Sequence, residues 1–127
     1  MNRQRSSRLV ARFDTAAFVP MSAFGGTEGT MTWHNMSYDP KSGRGSYLMV
    51  MAPGASSRPH RHDGAEEFFV LEGELVDFDG HVYRAGDFVR LAPGTVHTSL
   101  SSGGCKLLVT HWGPTEPAGI DELEPIR

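Results

Sequence analysis

Residues 54–73 read Gly-Ala-Ser-Ser-Arg-Pro-His-Arg-His-Asp-Gly-Ala-Glu-Glu-Phe-Phe-Val-Leu-Glu-Gly, with two histidines one residue apart and a carboxylate four residues beyond them. Side chains alternate along an extended strand with a period of two, so as a strand this segment puts His60 and His62 on one face, where they can grip one ion together. Glu66 follows across a short turn, and His97 arrives in a second turn after Ala92-Pro93-Gly94. Imidazole nitrogen and carboxylate oxygen are ligands that borderline divalent ions accept, Fe(II), Zn(II), Ni(II) and Mn(II) among them. A His-x-His pair by itself also occurs on solvated strand faces; the carboxylate and the third histidine set this one apart.

A chain of 127 residues suits one domain that buries about two thirds of the surface its unfolded form exposes. Its fifteen glycines and eight prolines are spread along it without any long helical periodicity, which predicts an all-β chain of short strands and tight turns. Residues 30–36, 45–51, 66–71, 75–78, 81–83, 88–91 and 105–112 read as strands. Residues 9–22 are too irregular for a helix and read as an edge strand with loops. Phe24-Gly25-Gly26, Glu28-Gly29, Asp39-Pro40, Glu72-Gly73-Glu74 and Asp79-Gly80 punctuate the pattern as turns. Alternation places Glu66, Phe68 and Val70 on one face and Glu67, Phe69 and Leu71 on the other. Tyr47, Met49 and Met51 likewise oppose Leu48 and Val50. The outward set Leu48, Val50, Phe69 and Leu71 needs a cover, from another sheet or a second copy of the chain, and we expect a homodimer.

The formal net charge of −3 opposes nucleic acid as an electrostatic partner, and Arg3, Arg5, Arg8 and Arg12 make residues 1–12 a basic arm that reads as a solvated terminus. No apolar run reaches the roughly eighteen residues of a membrane span, and residues 1–12 lack the apolar middle of a signal peptide. The cytoplasm is the expected compartment. Cys105 is the single cysteine, so no disulfide forms within the chain, in keeping with a reducing environment. It opens a strand after Gly103-Gly104 and reads as a small core residue rather than a nucleophile.

The spacing Gly54, His60-x-His62, Glu66, Gly73 is similar to the first cupin motif at every fixed position, and Gly86, Pro93, Gly94 and His97 resemble the second. Ala92 stands where that second motif has proline, and Ser101 where it has asparagine. The motifs cover roughly residues 47–112. Within the superfamily, His-Arg-His-Asp-Gly-Ala-Glu-Glu, Val-Leu-Glu-Gly and Gly104-Cys105 resemble the zinc-binding cupin half of anti-sigma factors. The whole is also similar to small dioxygenases that cleave diketones and hydroxyacetophenones.

The resemblance implies a small antiparallel jelly-roll barrel, a single cupin domain over residues 1–127, with an acidic, Pro-rich tail at 113–127. That tail reads as irregular apart from one short helical turn at 120–123. The resemblance also implies one divalent ion per chain, held by His60, His62 and Glu66 from one side of the barrel and His97 from the opposite side. Fe(II) is favoured, with Zn(II), Ni(II) or Mn(II) as alternatives. Four protein ligands leave two positions open on a six-coordinate ion; the alternative is a closed tetrahedral zinc site that only stiffens the barrel. Met49, Met51, Phe68, Val70, Phe88 and His111 are candidates for the pocket lining, with Trp112 beside them. Tyr47, Arg58, His34 and His111 are candidate polar handles, and His81 is expected to be exposed. The function favoured is a non-haem dioxygenase acting on a small diketone or aromatic ketone, without nucleic acid or membrane as partner. A metal or small-molecule sensor, or a non-redox isomerase, cyclase or decarboxylase, stands as the alternative.

Overall fold

The computed structural model describes residues 7–21 and 30–127; Arg3, Arg5 and the glycine-rich breaks at 24–29 lie outside them. The strands are β1 (Val19–Pro20), β2 (Met31–Asn35), β3 (Arg44–Met51), β4 (Ala55–Ser56), β5 (His60–His62) and β6 (Glu66–Asp77) in the first part of the chain. They continue as β7 (Val82–Arg84), β8 (Phe88–Leu91), β9 (Val96–His97), β10 (Ser99–Ser101), β11 (Cys105–Trp112) and β12 (Thr115–Pro117), followed by a 3-10 turn at Ile120–Glu122. All pairings are antiparallel. The larger sheet runs β1-β2-β3-β11-β6-β10-β4 with β7 and β8 also on β6, and a smaller sheet runs β12-β5-β9. The short antiparallel strands are those that the glycine-punctuated alternation predicted, and their curled sheets form the small barrel that the resemblance implied.

Alternation decides which side chains enter the barrel. In β11 the residues Cys105, Leu107, Val109 and His111 are buried, while the intervening Lys106, Leu108 and Thr110 are half-buried on the outer face. In β3 Tyr47, Met49 and Met51 share the interior with Phe68 and Val70 of β6. Burying each of the larger side chains contributes about 1.5–3 kcal/mol. Cys105 lies in this core, as its position at the head of a strand suggested.

Three expectations change. Glu72-Gly73-Glu74 does not reverse the chain, because β6 continues for twelve residues. The inward series Glu66, Phe68, Val70 resumes at Leu75 and Asp77, an odd offset that one extra residue must absorb. Leu71 is that residue: Leu107 pairs with Val70 and Lys106 with Glu72, so the strand bulges there and bends into its second half. Secondly, the tail after Trp112 is not irregular throughout, since β12 joins β5 with Glu116 opposite Arg61. Their ion pair, 2.7 Å, and that of Arg61 with Glu122, 3.2 Å, hold the tail across the strand that carries His60 and His62.

Thirdly, the cover over Leu48 comes from the chain itself. The Phe13 ring lies 5.4 Å from Lys106 Nζ and the Phe18 ring 6.1 Å from that of His34, which places the N-terminal segment on the outer face of β2, β3 and β11. Leu48, opposite both His34 and Leu108, is buried. Phe69 and Leu71 stay exposed.

Gly73, with φ of 76°, passes so close to the Gly104 carbonyl oxygen that a Cβ would collide with it, whereas a Cβ on Gly80, φ 88°, would meet nothing within 4 Å. Gly73→Ala therefore loses about 2–4 kcal/mol, backbone strain plus collision, while Gly80→Ala loses about 1–2 kcal/mol from strain alone. Urea unfolding of the two variants measures the difference, and equal losses would rule out the close approach as a constraint.

Candidate metal centre

His60 and His62 lie on β5 one pleat apart, their rings 4.7 Å between centroids, and Arg61 between them points outward to Glu116. His97 is not delivered from the opposite side of the barrel. It sits on β9 as the direct cross-strand partner of His60, the rings 4.5 Å apart. Glu66 begins β6 on the interior face, 7% exposed. Glu67 faces outward and accepts a 2.8 Å hydrogen bond from Trp112 Nε1. The pleat thus separates the adjacent carboxylates as the alternation predicted.

One donor atom from each of His60, His62, Glu66 and His97 falls within 4.8 Å of all the others. His62 Nε2 and His97 Nε2 are 2.9 Å apart, and Glu66 Oε1 stands 3.5 Å from each. Neighbouring ligands bound at 2.0–2.1 Å and at right angles about one ion are separated by about 2.9 Å. The set therefore fits a divalent ion. His60 Nδ1 donates to the Arg58 carbonyl oxygen at 2.7 Å, which fixes the tautomer and leaves Nε2 as its ligand atom. Among the described residues His62 Nδ1 has no hydrogen-bond partner, so the polar chemistry of that ring is directed through Nε2.

Sequence reasoning missed Asp77. Its carboxylate accepts from His97 Nδ1 at 3.0 Å, from Ser99 Oγ at 2.5 Å and from Tyr83 Oη at 2.7 Å, all in the interior. A histidine that gives Nδ1–H to a carboxylate turns Nε2 toward an ion and becomes a stronger base. The signal available was an acidic residue in the inward register of β6, obscured by the bulge at Leu71.

Charge distribution in the site follows from burial and neighbours. Burial pushes His62 down to about 3 and lowers His60 and His111 below the ordinary histidine value. For His97 burial also opposes the cation, but hydrogen bonds to Asp77 and Glu66 overcome it and raise the pKa to about 9. Burial works against ionised Glu66, yet the surrounding imidazoles, His62 and His97 foremost, hold its carboxyl well below the usual range. Asp77 is likewise held below the ordinary carboxylate value by its hydrogen bond from His97, so the two carboxylates favour a proton on the His97 ring between them. A divalent ion takes the place of that proton.

A cavity opens beside these ligands, and Met49, Met51, Phe68 and His111 lie in its wall with Tyr47 and Val109. Val70 is fully buried in the same core without lining the cavity. Phe88 and Trp112 do not face it: they are 62% and 53% exposed, because Phe88 pairs with outward Phe69 and Trp112 follows inward His111. His34 is also elsewhere, bonded through Nδ1 to the Ala17 carbonyl oxygen, and Arg58 serves through its backbone. His81 is exposed.

A family model described as the ChrR cupin-like domain matches residues 6–115. Among solved structures, an acetylacetone dioxygenase from Acinetobacter johnsonii is similar at 17% identity with a TM-score of 0.78, over 96% of this chain and 85% of that one. The polyketide cyclase RemF from Streptomyces resistomycificus is similar at 17% identity and 0.72, over 90% and 87% respectively. A chain in the complex of Rhodobacter sphaeroides SigE with the anti-sigma ChrR is similar at 19% identity and 0.63, over 79% of this chain and 50% of that one. At such identities the likeness is one of fold. No curated protein matches the chain.

Replacing His60, His62 or His97 by Ala, or Glu66 by Gln, should abolish stoichiometric metal uptake, while His34→Ala, His81→Ala and Glu67→Gln retain it. Asp77→Asn, which keeps a side chain of the same shape, should weaken affinity about 10- to 100-fold. Elemental analysis and competition with a chromophoric chelator give both numbers, and parental metal content in the ligand variants would sink the site.

Proposed function

The chain belongs to the ChrR cupin-like domain family, and on that premise we propose that it is a metal-dependent dioxygenase, using Fe(II) to cleave a small diketone or aromatic ketone. The observation that carries this reading is the donor set, three imidazoles and one carboxylate without a thiolate, in the wall of a largely apolar cavity. Structural zinc sites are closed four-coordinate shells that often recruit cysteine, and Cys105 stands apart from the set. Iron held by His60, His62, Glu66 and His97 would supply redox and Lewis-acid chemistry at the cavity wall.

The chain's own residues have separate tasks in this scheme. His60, His62, His97 and Glu66 hold the ion, and Asp77 keeps His97 in the tautomer that presents Nε2. Met49, Met51, Phe68 and Val109 give a substrate an apolar bed and keep bulk water away from the reacting groups. Tyr47 and His111 supply the polar edge of the same cavity. The similar fold of an acetylacetone dioxygenase supports this reading, and that of a polyketide cyclase supports a non-redox one, so chemistry must be tested at the site. The single buried cysteine supports the cytoplasm as the compartment.

We extend the proposal to assembly. Phe69, Leu71 and Phe88, 37%, 38% and 62% exposed, form an apolar patch on the outer face of β6 and β8 that a second copy of the chain would cover. Sedimentation at micromolar concentration should give a dimer, and Phe88→Glu should shift it to monomer; a parental monomer would discard the assembly.

The deciding experiment is oxygen uptake by anaerobically iron-reconstituted protein against a panel of β-diketones, hydroxyketones and catechols. Uptake in step with substrate loss is expected, reduced at least about 100-fold in His97→Ala. Absence of uptake with every compound, together with stability that depends on tightly held zinc, would favour the sensor reading that the likeness to the anti-sigma complex supports.

A further inference from the structure

Glu66 and His111 are directly opposed residues of β6 and β11 on the interior face of the barrel. Glu66 has two oxygens with different surroundings. Oε1 stands 3.5 Å from both His62 Nε2 and His97 Nε2, among the ligand atoms, whereas Oε2 stands 3.5 Å from His111 Nε2. His111 Nε2 is itself 2.8 Å from Tyr47 Oη, and the two rings stack at 5.5 Å. His111 and Tyr47 are 1% and 3% exposed. The three residues project from adjacent central strands, β6, β11 and β3, so their spacing is set by two ladders rather than by a loop.

A carboxylate at a metal can bind through one oxygen or through both, and the choice decides how many positions remain for other ligands. With its proton on Nε2, His111 would donate to the phenol oxygen 2.8 Å away and set the positive end of that N–H dipole 3.5 Å from Oε2. Turning Oε2 to the ion would forfeit that interaction. We propose that His111, held by Tyr47, is a positioning residue for the metal carboxylate: it engages Oε2, so that Glu66 offers the ion Oε1 only and a coordination position stays open toward the cavity. This rests on the metal-binding reading of the site but not on which reaction the site performs.

The role makes His111 unlike the four ligands, since its loss would change how the ion is held rather than remove a donor. Mn(II) tests this, because EPR of free Mn(II) reports affinity and water-proton relaxation counts the waters bound to the ion. In His111→Phe the relaxation enhancement per bound Mn(II) should fall by about half as Glu66 closes over the open position, and affinity should change by no more than about 10- to 100-fold. His111→Gln, which can again donate an N–H toward Oε2, should restore the parental enhancement, and Tyr47→Phe should give a partial loss. Circular dichroism melts verify that each variant folds; if His111→Phe does not, the Tyr47→Phe and His111→Gln pair carries the comparison. Parental enhancement in both the His111→Phe and Tyr47→Phe variants, with Mn(II) bound, overturns the positioning role and leaves the metal site standing. Failure of the parent protein to take up Mn(II), Fe(II) or Zn(II) overturns the metal site and this role together.

Discussion

A carboxylate buried to the depth of Glu66 is the constraint around which the interior is arranged. Isolated in an apolar medium, such a charge costs several kcal/mol after relaxation, so its environment must supply charge and hydrogen bonds or it would be neutralised. The barrel surrounds it with His62, His97 and His111, each about 3.5 Å from one of its oxygens. Those histidines are buried too, and each then needs its own second contact. Asp77 satisfies His97 and is in turn satisfied by Ser99 and Tyr83. One charge at the start of β6 thus propagates a polar network across six strands of an otherwise apolar core, β5, β6, β7, β9, β10 and β11.

Much of this was legible in the residues themselves. His60 and His62 had to share a face once the segment was extended, and pleat alternation separated Glu66 from Glu67 without any knowledge of their surroundings. The strand at 105–112 and the hairpin at Asp79-Gly80 followed from alternation and turn chemistry. What escaped depended on events that spacing does not encode. The bulge at Leu71 shifts the phase of β6, and that shift hides Asp77 from a period-two count begun at Glu66. Nor does spacing reveal that β9 would pair with β5, which is why His97 stands beside His60 rather than across the barrel. Phe88 and Trp112 stood among the candidates for the pocket lining, yet their register sends them outward.

The tail shows how a charged residue can organise chain that hydrophobicity leaves undefined. Residues 113–127 have little apolar content to bury, and Thr115–Pro117 becomes a strand where Arg61 is flanked by Glu116 and Glu122. Exposed ion pairs contribute little energy singly. Here they add to a ladder on a strand whose alternate residues face the candidate metal site, so one short segment answers to two surfaces.

The division of the donor set between two sheets has a mechanical side. His60, His62 and His97 ride on the three-stranded sheet, whereas Glu66 belongs to the nine-stranded one. An ion bound by all four is therefore a removable rivet between two bodies whose own elements on the small side are only two or three residues long. Fastening them restrains the small sheet far more than the large one, since the large sheet is already locked by the long ladders of β3, β11 and β6. Cells that vary in available metal would thus hold this chain in forms that differ in stiffness at one end of the barrel, and proteolytic susceptibility near residues 57–65 and 113–118 would track the supply of the ion.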